Sequence, residues 1–147
     1  MAVTSEQPAD ARPVATLFYD AACGVCRWTA ARVAAWDRRG AVRPVPLQDR
    51  AEADRLLGAM DEQTRMASWH LVTTEGEVRS AGQGVAPLLR LLPGGGPLAR
   101  LAAALQPVTD RAYDFVARHR GAFGRLVPQG ARRRASARLG ARDAQRR

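Results

Sequence analysis

Residues 14 to 19 form a short apolar run rich in β-formers, Val-Ala-Thr-Leu-Phe-Tyr, and the pattern then changes to a helical period. Over about residues 23 to 39, Cys26, Thr29, Ala30, Val33 and Trp36 fall on one helix face. Residues 42 to 47 predict a second strand, which Pro44 and Pro46 confine to a sheet edge or a short piece. A helical stretch follows from Ala51 to about Met60, with Leu56 and Leu57 facing inward, and residues 61 to 64 open another turn. Residues 68 to 73 and 77 to 81 predict two strands joined by a turn at Glu75-Gly76. A helix from Gly84 carries Val85, Leu88, Leu89, Leu91 and Leu92 to Pro93, and Gly94-Gly95-Gly96-Pro97 ends it. Two further helices are predicted over residues 98 to 105 and 108 to 120. The order βαβα, hairpin, α makes an α/β fold: a central four-stranded mixed sheet flanked by helices, with extra C-terminal helices.

The chemistry sits where the first strand turns into the first helix. Asp20-Ala21-Ala22-Cys23-Gly24-Val25-Cys26 holds the only two cysteines of the chain, two residues apart. Cys23 falls at or near the first helical turn, where unpaired N–H groups and the positive end of the macrodipole favour a thiolate. A free cysteine titrates near ~8.5, and cysteines of helix-start CxxC motifs fall to about 3.5 to 7.5. Cys26, one turn deeper, is placed to attack a mixed disulfide on Cys23. Asp20 has three readings: an ionised neighbour that raises the thiol pKa, a proton acceptor for Cys26, or a cap for loop amides. Zinc would need two more ligands, and only His70 and His119 are available as nitrogen ligands, without short spacing. No metal is expected. A structural bridge across so short a loop would remove little chain entropy. The strand-to-helix context favours redox chemistry, which needs no bound cofactor.

The segment Leu17 to Cys26, an apolar strand entering Asp-x-x-Cys-x-x-Cys, resembles the opening of the DCC thiol-disulfide oxidoreductases. Residues 68 to 78, Ser-Trp-His-Leu-Val-Thr-Thr-Glu-Gly-Glu-Val, resemble that family's strand, acidic-Gly turn and second strand. Residues 113 to 120 resemble its closing Tyr-x-x-x-Ala-Arg-x-Arg helix. Ala21 stands where the family usually has Gly. The resemblance implies a thioredoxin-like fold and dithiol-disulfide exchange, with Asp20, Cys23 and Cys26 as functional positions. Gly24 and Val25, inside the motif, are candidate substrate-binding residues. Most thioredoxin-like proteins also place a cis-proline before the third strand, but residues 66 to 69, Met-Ala-Ser-Trp, contain none. Ser68 or Trp69 is expected to line the substrate groove instead. Tyr113 and Arg118 are candidates to orient Asp20 or, equally, to dock their helix; Trp28 and Trp36 fit the core better than a substrate platform, and His70 reads as a packing or surface residue.

Composition and charge add the remaining expectations. At 147 residues the chain has room for one domain with a core, divided into a disordered leader (1 to 13), the thioredoxin-like domain (14 to 120) and an Arg-rich tail (121 to 147). No apolar run approaches a membrane span, and the polar, acidic start does not resemble a secretory signal, so a cytoplasmic location is expected. All 23 basic side chains are arginine; residues 118 to 147 hold 10 of them against Asp143 alone, which accounts for the +9 excess. A solvated tail is the simple expectation. Its alternative is a non-catalytic binding module that uses the tail to hold nucleic acid or an anionic surface. For the redox reading, the partner is a disulfide-containing protein or a low-molecular-weight thiol, with the reductant unidentified.

Overall fold

The computed structural model describes residues 13–145; the expected leader, Pro13 apart, lies outside them. Five β-forming residues with no polar break make β1 (Ala15–Tyr19), which is buried along its whole length. It leads into α1 (Gly24–Trp36), and β2 (Val42–Pro46) returns parallel to β1, with Ala15 paired to Val42 and Tyr19 to Pro46. Two short helices follow, α2 (Arg50–Leu57) and α3 (Glu62–Ala67), capped by Asp49 and Asp61, whose carboxylates accept the Glu52 and Thr64 amides at 3.3 and 2.9 Å. The antiparallel hairpin β3 (His70–Val72) and β4 (Val78–Ser80) completes the sheet, in the order β2-β1-β3-β4. The proline-bearing strand is at the edge, where its missing N–H donors cost no ladder. Gly76 closes the hairpin with φ +83, a left-handed conformation in which glycine carries no Cβ penalty. This is the mixed four-stranded sheet of a thioredoxin-like α/β fold.

Alternation along β1 feeds two cores. Ala15, Leu17 and Tyr19 point to one face and join Ala30, Ala31 and Ala34 of α1; Phe18 points to the other and joins Val45, Leu47, Ala53, Leu57 and Val72. His70 of β3 is fully buried, its ring nitrogens paired with the Ser80 hydroxyl at 2.6 Å and the Arg65 carbonyl at 2.9 Å. Burial pushes its pKa down, so it packs as a neutral ring. After a 3-10 turn at Ala81–Gly84 come α4 (Val85–Leu91), α5 (Gly96–Ala104) and α6 (Gln106–Arg118). Trp28 and Trp36 do not enter the core: both are 39% exposed, and Trp36 Nε1 donates to the Pro93 carbonyl at 2.8 Å.

The Arg-rich end is where the fold departs from expectation. It is not a solvated tail but two helices, α7 (Arg120–Leu126) and α8 (Gln129–Ala144), and α8 packs along α1. Ala131, Ala135 and Leu139, spaced by four, turn one face inward, and Ala135 and Leu139 are buried in the same cluster as Ala30, Ala31 and Ala34. Arg142 then ties the two helices: it donates to the carbonyls of Ala34 and Asp37, each at 2.6 Å, and to the Asp37 carboxylate at 3.1 Å. Asp37 is fully buried and also accepts the Ala41 and Val42 amides at 3.0 Å each, so this one carboxylate joins the end of α1, the start of β2 and α8. No helix among the described residues is long and apolar enough to cross a membrane.

Candidate active site

Cys23 occupies the N-cap of α1, directly after the loop that leaves β1. Its Sγ accepts the Cys26 amide at 3.4 Å, taking the place that a Ser or Asp oxygen has in an ordinary helix cap. Helical geometry puts Cys26 one turn on, and both thiols are free and half-buried. Their environments differ. Burial first, then the hydrogen bond and the charge of Cys23, then the Asp20 carboxylate push the Cys26 thiol up to about 12, against the pull of Arg120.

The loop before Cys23 is held by two side chains. Asp20 Oδ1 accepts the Ala22 amide at 2.9 Å and Gln48 Nε2 at 2.8 Å, while Gln48 Oε1 accepts the Ala21 amide at 3.0 Å. Gln48 follows the end of β2. Because β1 and β2 are parallel, their C-terminal ends open on the same edge of the sheet, the usual place for a site in such a unit. That rule was the available signal for Gln48, which sequence spacing alone did not single out.

An open cleft of about 380 Å³ lies over Cys23, lined by Asp20, Ala22, Cys23 and Gly24 and, from α7 and α8, by Arg120, Gly121, Gly124, Arg125 and Arg132. Gly24 and Val25 lie under the α7–α8 corner: a Cβ on Gly24 would stand 3.7 Å from the Gly124 carbonyl oxygen and Arg132 Nε, and one on Gly124 would stand 3.8 Å from the Val25 amide nitrogen. Arg132 fixes this corner by donating to the carbonyls of Val127, at 3.0 Å, and Gly124.

Ser68 and Trp69 are not among the residues lining this cleft. They lie on the Cys26 side, joined to it through Tyr113, whose phenol is pushed up by burial, pulled down by hydrogen bonding to the Trp69 backbone and the Ser68 side chain, and pushed up again by Cys26. The Trp69 ring stands over Gly84, where a Cβ would come within 2.7 Å of it. Asp20 is bonded to Gln48 and the Ala22 amide, and Tyr113 is not among its hydrogen-bond partners. Arg118 is not one either: exposed on α6, it donates through Nε to the Asp114 carbonyl at 3.3 Å. Among the described residues, no three His, Cys, Asp or Glu side chains are grouped as metal ligands.

A family model described as DCC1-like thiol-disulfide oxidoreductase matches residues 17–126, a span that runs from β1 to the end of α7 and stops short of α8. No curated protein and no solved structure matches the chain.

Proposed function

The chain belongs to the DCC1-like thiol-disulfide oxidoreductase family, and from that premise we propose that Cys23 and Cys26 exchange electrons with the disulfide of a protein or of a low-molecular-weight thiol. The observation that carries this reading is the asymmetry of the pair. Cys23 caps the helix with its sulfur on the Cys26 amide and opens on the cleft, whereas Cys26 is held as a thiol up to about 12. The Cys23 thiolate attacks one sulfur of the substrate, forming a mixed disulfide and expelling the first thiolate, which takes up a proton. Cys26 then loses its proton and attacks the Cys23 sulfur, forming the Cys23–Cys26 disulfide and releasing the second thiolate. Two electrons pass from the dithiol to the substrate. The opposite direction uses the same steps in reverse.

Asp20 is the proton acceptor in this scheme. Both of its hydrogen bonds fall on Oδ1, it lines the cleft, and its charge already acts on Cys26. Gly24, which lines the cleft, holds the backbone on which substrate comes to rest beside Cys23, whereas Val25, under Gly124, supports that turn from below. Ser68 and Trp69 act from outside the cleft, by hydrogen bonding to the Tyr113 phenol, which feels the charge of Cys26.

Trapping tests the assignment of roles. In Cys26→Ser, a disulfide substrate should leave a stable adduct on Cys23, seen as a mass increase in the intact protein, whereas Cys23→Ser should accumulate none. Adducts forming on Cys26 in Cys23→Ser at the same rate would remove the assigned order of attack, and faster ones would reverse it. Failure of the wild-type chain to form an intramolecular disulfide at any potential would end the redox reading.

A further inference from the structure

Resting on the dithiol reading, we propose that Arg120 and Arg125 form an anion subsite beside Cys23, and that the substrate is a low-molecular-weight disulfide whose thiol halves carry carboxylates. Of the nine residues lining the cleft, three are arginines and one, Asp20, is an acid. That acid is tied to Gln48 and the Ala22 amide. Arg132 is occupied with the carbonyls of Gly124 and Val127. Arg120 and Arg125 make no ion pair among the described residues, and of the arginines without a carboxylate partner they are the two that line this cleft without being tied to backbone carbonyls. Two guanidiniums without a carboxylate partner line the open cleft that Cys23 also lines, and a guanidinium recognises a carboxylate with two parallel N–H donors.

The local sequence makes room for such a ligand. Arg120, Gly121, Gly124 and Arg125 share the cleft-facing side of α7. Glycine inside a helix is disfavoured by about 1 kcal/mol against alanine, so two in one short helix are not chosen for helix stability. A Cβ on Gly121 would meet no atom within 4 Å, so the bare backbone there opens space and does not relieve a clash. The cleft, about 380 Å³, is at the small-molecule end of ligand pockets, which run from about 300 to 1,000 Å³. A peptide-sized thiol fits that volume.

The test uses the full-length chain, reduced beforehand, and three small disulfides: oxidised glutathione (anionic), bis(2-hydroxyethyl) disulfide (neutral) and cystamine (cationic). Formation of the Cys23–Cys26 disulfide is followed by acid quench and mass spectrometry, and each rate is divided by that disulfide's rate with dithiothreitol. The anionic disulfide should lead the neutral one by about tenfold and the cationic one should trail, as expected for charge steering. About 0.5 M NaCl should compress the order by screening. Arg120→Gln with Arg125→Gln should collapse the anionic-to-neutral ratio, and the corresponding Lys pair should restore part of it. Normalised wild-type rates that agree within about twofold would overturn the subsite, as would a preference that survives in the Gln pair. Insulin, an acidic disulfide protein normalised in the same way, should trail glutathione disulfide; if it leads, the anion is on a protein and the small-molecule assignment falls. Oxidation by the neutral disulfide without charge preference would sink the subsite and leave the dithiol reading standing, whereas no oxidation by any disulfide would sink both.

Discussion

In the reduced pair the Cys26 thiol is pushed up to about 12 and is protonated at neutral pH; a mixed disulfide removes the Cys23 charge but leaves burial and the Asp20 carboxylate raising Cys26, so it resolves the adduct by losing its proton as it attacks. Asp20 influences that step in two opposing ways. Its negative charge is among the causes that raise Cys26, so Asp20→Asn moves the thiol back toward its ordinary value, and charge alone would then speed resolution. In the proposed role of proton acceptor, the same carboxylate would speed resolution, and its loss would slow it by about a hundredfold, the lower end of general-base effects. The expected outcome for Asp20→Asn is slower decay of the mixed disulfide, read by quenched mass spectrometry, with a steeper rise in rate toward high pH as hydroxide takes over. Faster decay at all pH values would leave Asp20 a purely electrostatic role. At this scale the sequence was informative where neighbours in the chain are neighbours in space: Asp20, Cys23 and Cys26 lie in one loop and one helical turn. It was silent where they are not. Gln48, 28 residues from Asp20, and Arg120, far beyond Cys26, reach the site only through the parallel return of β2 and the fold-back of α7.

Among the elements, β-branched and aromatic runs, the two prolines of β2 and the Glu75-Gly76 turn made the sheet legible, because each marks a backbone requirement directly. The last helix was not legible, for a physical reason. Its buried face is alanine and one leucine, a weak apolar signal among arginines, and it finds a partner only because α1 offers alanines in return. Small side chains let the two helices pack closely, and Arg142 locks them by reaching the carbonyls that end α1 and the buried Asp37 carboxylate. Breaking a buried pair by removing one partner is strongly destabilising. Arg142→Ala should therefore lower unfolding stability by roughly 3 kcal/mol, the low end for such losses because Asp37 keeps two backbone donors. Urea denaturation measures it, and a loss under about 0.5 kcal/mol would place the bond with ordinary surface pairs.

For the molecule as a whole, the packing of α8 changes what the charge asymmetry means. The +9 excess is not carried on a loose tail: α7 and α8 bring much of it to the thiol end, where Arg120, Arg125 and Arg132 wall the cleft, while Arg133, Arg134 and Arg138 remain exposed on α8. Deleting the basic end therefore cannot separate a binding role from a redox role, since it removes part of the core. A chain ending at Leu126 loses the buried Ala135 and Leu139, the Arg142 ties and the Arg132 bonds that fix the corner over Gly24. Leucine burial contributes about 1.5 to 3 kcal/mol and the Asp37 pair roughly 3 more. Against a total stability of about 5 to 15 kcal/mol for a domain, the truncated chain should be near or past its unfolding threshold at room temperature. Thermal unfolding followed by circular dichroism should show a broad transition or none, together with loss of the asymmetry between the two thiols. A truncated chain melting within about 2 °C of the full chain would mean that α8 rests on the fold without supporting it, because a shift that small corresponds to well under 1 kcal/mol in a domain of this size.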